Sequence, residues 1–350
     1  MAKNVKFGVD TFGDVTVDAA GERLPYGQVI RNVIEEGVLA DRVGLDNFGV
    51  GEHHRDDYAI SAPEVVLAGI ASRTERVHLS TAVTVLSSDD PVRVFERFAT
   101  LDAISGGRAE IILGRGSFTE SFPLFGYDLG DYEQLFSEKL DLMAKLLTEE
   151  PVTWEGELRA ALRNQHVYPK TESGHIRTWV GVGGSPESVV RAAKYGFPLV
   201  LGIIGGDPVR FASYVDLYHR ALDQFGKEPL PVAVHSPGLV AETDEEAIET
   251  LWPHTRVIMN RIGAERGWPP LTREKFEADV HEGALHVGSP ETVARKIART
   301  VRALDADRFD LKYSQGTLPH ERMMTGIELY GTEVVPRVRE LLAQETPATV

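Results

Sequence analysis

Apolar and polar positions along this chain follow two periods that take turns. Short runs that alternate, or are apolar throughout, read as strands over residues 5–9, 47–52, 77–86, 109–113, 178–182, 199–204, 231–240 and 308–313. Between them, apolar residues recur at helical spacing over residues 28–42, 62–72, 91–104, 133–147, 187–195, 209–225, 290–304 and 321–342, with a further acidic-capped helix opening at Asp244. Eight strands, each followed by at least one helix, predict an α/β protein built as a single closed (β/α)8 TIM-type barrel over residues 1–342, with insertions after strands 4 and 7. An open doubly wound sheet is the rival arrangement. Residues 343–350, with Pro347 among small side chains, are expected to form a loose tail, and the irregular stretch 151–177 reads as an excursion able to act as a lid.

Composition narrows the function more than the fold. A formal net charge of -16 over 350 residues disfavours non-specific binding to nucleic acid or anionic membranes, so a small anionic ligand needs local positive charge. The absence of cysteine excludes disulfides, thiolate metal sites and thiol catalysis. No signal-peptide pattern and no apolar run of membrane-spanning length occur, so a cytoplasmic location is expected.

In a barrel, chemistry gathers at the carboxyl ends of the strands. Three stretches converge there. Glu52-His53-His54 follows the second strand, and one of its imidazoles suits a general base or an orienting donor; strand alternation sends only one of the two toward the mouth. The other nine histidines are scattered without ligand spacing, so no metal site is expected. Gly114-Arg115-Gly116 follows the fourth strand and offers a guanidinium fork beside permissive backbone; taken alone it also fits a turn with a surface arginine. After the fifth strand, Gly183-Gly184-Ser185 precedes Pro186 at a helix start, giving free amides, a hydroxyl and a helix dipole suited to phosphate. The similar Val287-Gly288-Ser289-Pro290-Glu291 is a competing phosphate site with fewer free amides. Phe118, Phe122, Phe125 and Tyr127 form either an apolar pocket wall or plain core, and the loops 117–127 and 151–177 are expected to line the substrate pocket.

These residues carry a resemblance. Glu52-His53-His54, the run from Leu79 to Leu86 with Asp90-Pro91 behind it, Leu101-Asp102 with Ser105-Gly106-Gly107-Arg108, Leu113-Gly114-Arg115-Gly116 and Phe125-Gly126 are similar to the bacterial luciferase-like, flavin-dependent monooxygenase family. The similarity runs through residues 181–188 and 287–291 to the closing helix. It implies a barrel that binds reduced FMN, supplied by a separate flavin reductase, and oxygenates a small organic substrate through a flavin hydroperoxide. It places the catalytic histidine at His53, a non-proline cis peptide under the flavin at Ala82-Val83, and the flavin phosphate at Arg115, Gly183, Gly184 and Ser185, with Gly114 also among the cofactor-binding residues. It also implies a homodimer. The light-emitting members carry a reactive cysteine at the place of Gly114, an arginine near Glu133 and an acid-serine pair at Gly183-Gly184, so this chain resembles a relative acting on some other substrate. A deazaflavin-dependent oxidoreductase of the same fold and a non-catalytic flavin-binding protein are the alternatives.

Overall fold

The computed structural model describes residues 3–18 and 20–344, so most of the expected tail lies outside the described residues. In chain order the elements are β1 (Lys6–Thr11), α1 (Tyr26–Arg42), β2 (Asn47–Val50), α2 (Pro63–Ala71), β3 (His78–Thr81), β4 (Thr84–Val85), α3 (Pro91–Ser105), β5 (Glu110–Gly114), α4 (Ser121–Phe125) and α5 (Tyr132–Leu146). They continue with β6 (Val152–Trp154), β7 (Leu162–Gln165), β8 (Arg177–Val182), α6 (Pro186–Tyr195), β9 (Leu199–Gly202), α7 (Ala212–Gln224), β10 (Val232–Val240) and α8 (Asp244–Arg266). The last are α9 (Arg273–His281), β11 (His286–Gly288), α10 (Pro290–Leu304), β12 (Arg308–Lys312), α11 (His320–Leu329) and α12 (Val335–Ala343).

The main sheet runs in the order β3, β2, β1, β12, β10, β9, β8, β5, β4, every pair parallel. Because β3 and β4 are consecutive pieces of one stretch, and Leu79 bridges Ala109 in parallel, the two ends of that order meet and the barrel is nearly closed. The rival open sheet is thereby excluded. The third strand, expected as one run over 77–86, is split where the Ala82–Val83 peptide is cis.

Strand alternation explains both walls of the barrel. Phe7, Val9, Phe48, Val50, Leu79, Ile111, Leu113, Leu199, Leu201, Val232, Val234, Phe309 and Leu311 face the helices in one large core. The intervening positions face the lumen, where Ile112, Trp179, Val200 and Ala233 make a small apolar cluster with Val83 against it. The lumen also holds buried charge: Arg308 binds Asp310 through Nε (2.8 Å to Oδ2) and pairs with Glu110, all three buried. Lumen-facing glycines make room for these groups, since a Cβ on Gly8 would lie 2.3 Å from Asp310 Oδ1.

Both insertions fall where alternation breaks off. The stretch after β5 holds α4, α5 and an unanticipated antiparallel β6–β7 hairpin. The hairpin is fixed to the outside of the barrel rather than over its mouth. Trp154 Nε1 donates to Asp141 Oδ2 on α5 (2.9 Å), Arg159 Nε binds Asp90 Oδ2 (2.7 Å), and Asp102 accepts from the amides of Glu172 and Ser173. After β10, the strand continues past the barrel to pair with β11. Among the described residues no helix is long and apolar enough to cross a membrane.

Candidate active site

The carboxyl ends of the strands surround a cavity of about 340 Å³. Its lining brings together Glu52, His53 and His54 from the β2 end, Ala82 and Val83 from the split strand, Gly114 and Arg115 from the β5 end, and Gly183 from the β8 end. Gly184 and Ser185 lie just outside this lining, at the rim. Of the two loops expected around the pocket, the one after β5 contributes Ser117, Phe118, Glu120 and Ser121, whereas the 151–177 stretch contributes nothing because its hairpin packs on α5.

Both histidines reach the cavity, contrary to the expected alternation. The reason is that β2 ends at Val50, so residues 51–54 follow no strand period. Their roles differ. His54 Nε2 is 3.0 Å from Glu52 Oε1, and the other oxygen of Glu52 accepts from the Val85 amide at 3.0 Å, so this acid ties the β2 end to the split strand. His53 is buried among rings: Phe12 at 4.8 Å, Tyr58 at 4.3 Å and Phe118 at 5.1 Å between centroids. Its Nε2 is buried without a hydrogen-bond partner. Burial pushes its pKa down to about 3, so the ring is neutral near pH 7, with one nitrogen a donor and the other an acceptor.

Of the four aromatic residues after β5, Phe118 lines the cavity, Phe122 is core, and Phe125 is exposed beyond the ring of His54. Tyr127 sits under the Lys139 ammonium at 3.9 Å. Phe118 is gripped by two guanidinium groups, Arg55 at 4.6 Å and Arg266 at 5.4 Å from its ring centre. Arg55 also binds Glu120, Asp57 and Glu265 (2.6, 3.0 and 2.6 Å), which joins the β2 loop, the β5 loop and the end of α8 over the mouth.

At the rim, Ser185 caps α6 and donates to Glu187 Oε2 at 2.8 Å. Gly184 has φ +116°, a value that favours glycine, and its carbonyl accepts from Tyr214 at 2.7 Å. A Cβ on Gly183 would meet nothing within 4 Å, so the backbone there is open to close approach. Arg115 pairs with Glu133, whose second oxygen binds Arg191 Nη2 at 3.0 Å. Arg191, on α6, was not anticipated from sequence, although it stands one helical turn beyond Glu187. Its Nη1 is buried and unpartnered. Two guanidinium groups, a helix start and open glycine backbone thus lie together at the rim, with one exposed carboxylate between the two arginines.

The competing helix start is already occupied by protein. Asp244 accepts from the Ser289 amide (2.6 Å) and the Thr292 hydroxyl (2.9 Å) at the start of α10. Arg295 stands there where Arg191 stands on α6, but it is paired with Glu291 (2.5 Å), and none of residues 287–291 lines the cavity.

A parallel barrel with a polar, aromatic-walled mouth defines a class of α/β enzyme folds, and comparison with known proteins gives the family. A model of the luciferase-like monooxygenase family matches residues 6–307, so the chain belongs to that family. It is 31% identical over 322 residues to 4-hydroxyprotoasukamycin monooxygenase of Streptomyces nodosus subsp. asukaensis, covering 85% of this chain and 84% of that one. Among solved structures it is similar to the oxygenating constituent of 3,6-diketocamphane monooxygenase from Pseudomonas putida in complex with FMN, with TM-score 0.75, 21% identity, and 97% and 99% of the two chains covered. An F420-dependent secondary alcohol dehydrogenase superposes equally well, with TM-score 0.75, 19% identity, and 96% and 99% covered.

Proposed function

We propose that this enzyme is an FMN-dependent monooxygenase that oxygenates a small organic substrate with O2 and reduced FMN received from a separate reductase. The observation that carries the reading is His53, a neutral imidazole with a buried, unpartnered Nε2 inside an aromatic cage at the barrel mouth. When bound, FMN supplies the electrons that activate O2. The chain's own residues then have three tasks. Arg115, Arg191, Gly183, Gly184 and Ser185 would hold the phosphate, with Glu133 swinging aside; an ion pair this exposed is worth at most about 1 kcal/mol, so a doubly charged phosphate displaces it readily. The cis Ala82–Val83 segment, with Gly114 beneath it, would support the flavin ring. His53 would orient the reacting oxygen by a hydrogen bond while Phe12, Tyr58 and Phe118 exclude water.

The test is to load the protein with reduced FMN without oxygen, mix it rapidly with oxygen, and follow the absorbance of the bound flavin. Reoxidation much slower than that of free FMN supports the reading, and reoxidation at the free rate counts against it. His53→Ala should retain FMN affinity but lower turnover by about 10²–10⁴-fold, whereas Arg115→Ala should weaken FMN binding. A second reading keeps the fold and uses a deazaflavin coenzyme for hydride transfer; the equal superposition on an F420-dependent dehydrogenase favours keeping it. Parallel titration with both coenzymes separates the two. A passive flavin binder would show neither slowed reoxidation nor an effect of His53→Ala.

A further inference from the structure

The floor of the cavity holds another histidine that the reading above does not use. His235, near the middle of β10, points Nδ1 at Asp10 Oδ2, 2.8 Å away on β1. Both residues line the cavity, and Asp10 is 2% exposed with its Oδ1 unpartnered. Among the described residues the other ring nitrogen, Nε2, has no hydrogen-bond partner. The His235 ring stacks on Phe12 at 5.9 Å and 10°, while the edge of His53 meets the same ring at 4.8 Å and 69°. One phenyl ring therefore separates two imidazoles in one cavity.

Their electrical surroundings are opposite. His53 sits in an aromatic cage. His235 sits in the charged lumen: in register it lies beside Asp310 of β12 on one side and Gly202 of β9 on the other, so only the β12 side presents a side chain to it. The groups that face it are Asp10 and Asp310, with the Lys312 ammonium opposing them. Asp310 is engaged by Arg308, which is shared with Glu110, and Lys312 lies 3.3 Å from Asp14. Four buried acids, Asp10, Asp14, Glu110 and Asp310, thus share the lumen with two cations, Arg308 and Lys312, and a proton on His235 reduces that excess. Burial alone would lower the basicity of the ring, but the charge and hydrogen bond of Asp10 outweigh it and leave the pKa raised. Environments that drive two titratable groups apart are how a single site holds an acid and a base together.

We propose that Asp10 and His235 form the proton-holding pair of the cavity, with His235 presenting Nε2–H to a hydrogen-bond-accepting oxygen of an uncharged carbonyl or hydroxyl substrate. In the transfer, the Nε2–H bond breaks and an O–H bond forms on a substrate oxygen that is gaining charge. The imidazole becomes neutral, keeps Nδ1–H on Asp10, and regains its proton from solvent. This rests on the monooxygenase reading only in taking the cavity as the substrate site, and the test requires no flavin.

The histidine ring resonances of the cofactor-free protein are titrated by NMR from pH 5 to 10, His235 being assigned by its loss in a folded His235→Gln variant. The expected result is a His235 midpoint above the ordinary value of about 6.5, lowered by at least one unit, a tenfold change in proton affinity, in the isosteric Asp10→Asn variant. A midpoint at or below the ordinary value, or one unmoved by Asp10→Asn, overturns the pairing. If His235→Gln does not fold, loss of the high midpoint in Asp10→Asn provides the assignment. Cyclohexanone, a neutral carbonyl acceptor, should raise the midpoint further because only the protonated ring donates from Nε2, while cyclohexane should not. No shift with the ketone, or equal shifts with both, overturns the donor role while leaving the FMN experiment free to succeed or fail by itself.

Discussion

Val83 fills the space that a side chain at position 114 would need: a Cβ on Gly114 would lie 2.3 Å from Val83 Cγ2 and 3.0 Å from its Cβ. The end of β5 and the cis segment of the split strand are therefore fitted to each other, and a Cβ on Gly181 of β8 would lie 3.1 Å from Cγ1 of the same valine. Gly114→Ala should cost about 1–3 kcal/mol of stability by overpacking and weaken flavin binding by displacing the 82–83 segment. Val83→Ala in the same chain should restore much of both. Urea unfolding of the two single variants and the double variant measures the coupling, and simple additivity would show that the contact is not the cause.

The proposed phosphate site carries its own brake. Glu133, 58% exposed on its side chain, pairs with Arg115 through one oxygen and with Arg191 through the other, offsetting half of their charge. Glu133→Gln should tighten FMN by about fivefold, the equivalent of about 1 kcal/mol for an exposed charge, and the gain should shrink at high salt. Arg191→Ala should weaken binding even though Arg115 remains. Fluorescence titrations at two ionic strengths check both, and loosened binding in Glu133→Gln would mean that the carboxylate organises the arginines rather than screening them.

The barrel was legible because alternation is a backbone property: one side of each strand meets helices and the other meets the lumen, whichever residues are used. The site was partly legible for the same reason. Glycines and polar residues that interrupt apolar strands, such as Gly114 or the acid in Lys6-Phe7-Gly8-Val9-Asp10, mark the lumen. Asp10 and His235 carried that signal and were passed over, because the two are 225 positions apart and only barrel closure brings them to 2.8 Å. Arg191 was missed because an arginine on an amphipathic helix looks solvated until the neighbouring helix supplies Glu133. The stretch 151–177 misled for another reason: its polar residues looked free, yet they bind Asp90, Asp102 and Asp141 on the outer helices.

Glu36 links two further elements and adds a pH-dependent contribution on the alkaline side. Fully buried on α1, it accepts from Tyr313 Oη (2.5 Å) and lies 2.7 Å from His320 Nδ1 on α11. The hydrogen bond to Glu36 raises the pKa of His320 against the opposing effect of burial. A folded-state value above the unfolded one of about 6.5 means that the stabilisation is complete below that pH and is lost as pH rises through the raised value. Thermal unfolding should therefore separate wild type from His320→Gln most at pH 5–6 and least in alkali. A constant difference across that range would show that His320 acts by packing alone.

Acid should act in the opposite sense through two other histidines. Burial holds both His53 and His286 down to about 3, and each has a buried Nε2 with no partner, while His286 Nδ1 lies 2.9 Å from the Ala284 carbonyl. Neutral in the folded chain and protonated near pH 6.5 once unfolded, each contributes stability that is present above pH 6.5 and drains away as pH falls toward 3. Over that window each site costs about 1.4 kcal/mol per pH unit, so two together make the slope about twice as steep. His53→Gln and His286→Gln should each flatten the acid limb of urea-unfolding stability by one proton, whatever they do to stability at pH 7. The two variants differ in what else they change: only His53→Gln should alter the reaction of bound reduced FMN with oxygen, since His286 lines no part of the cavity. An unchanged acid limb in both variants would mean that the buried rings are protonated in the folded state, and the neutral role assigned to His53 would fail with it.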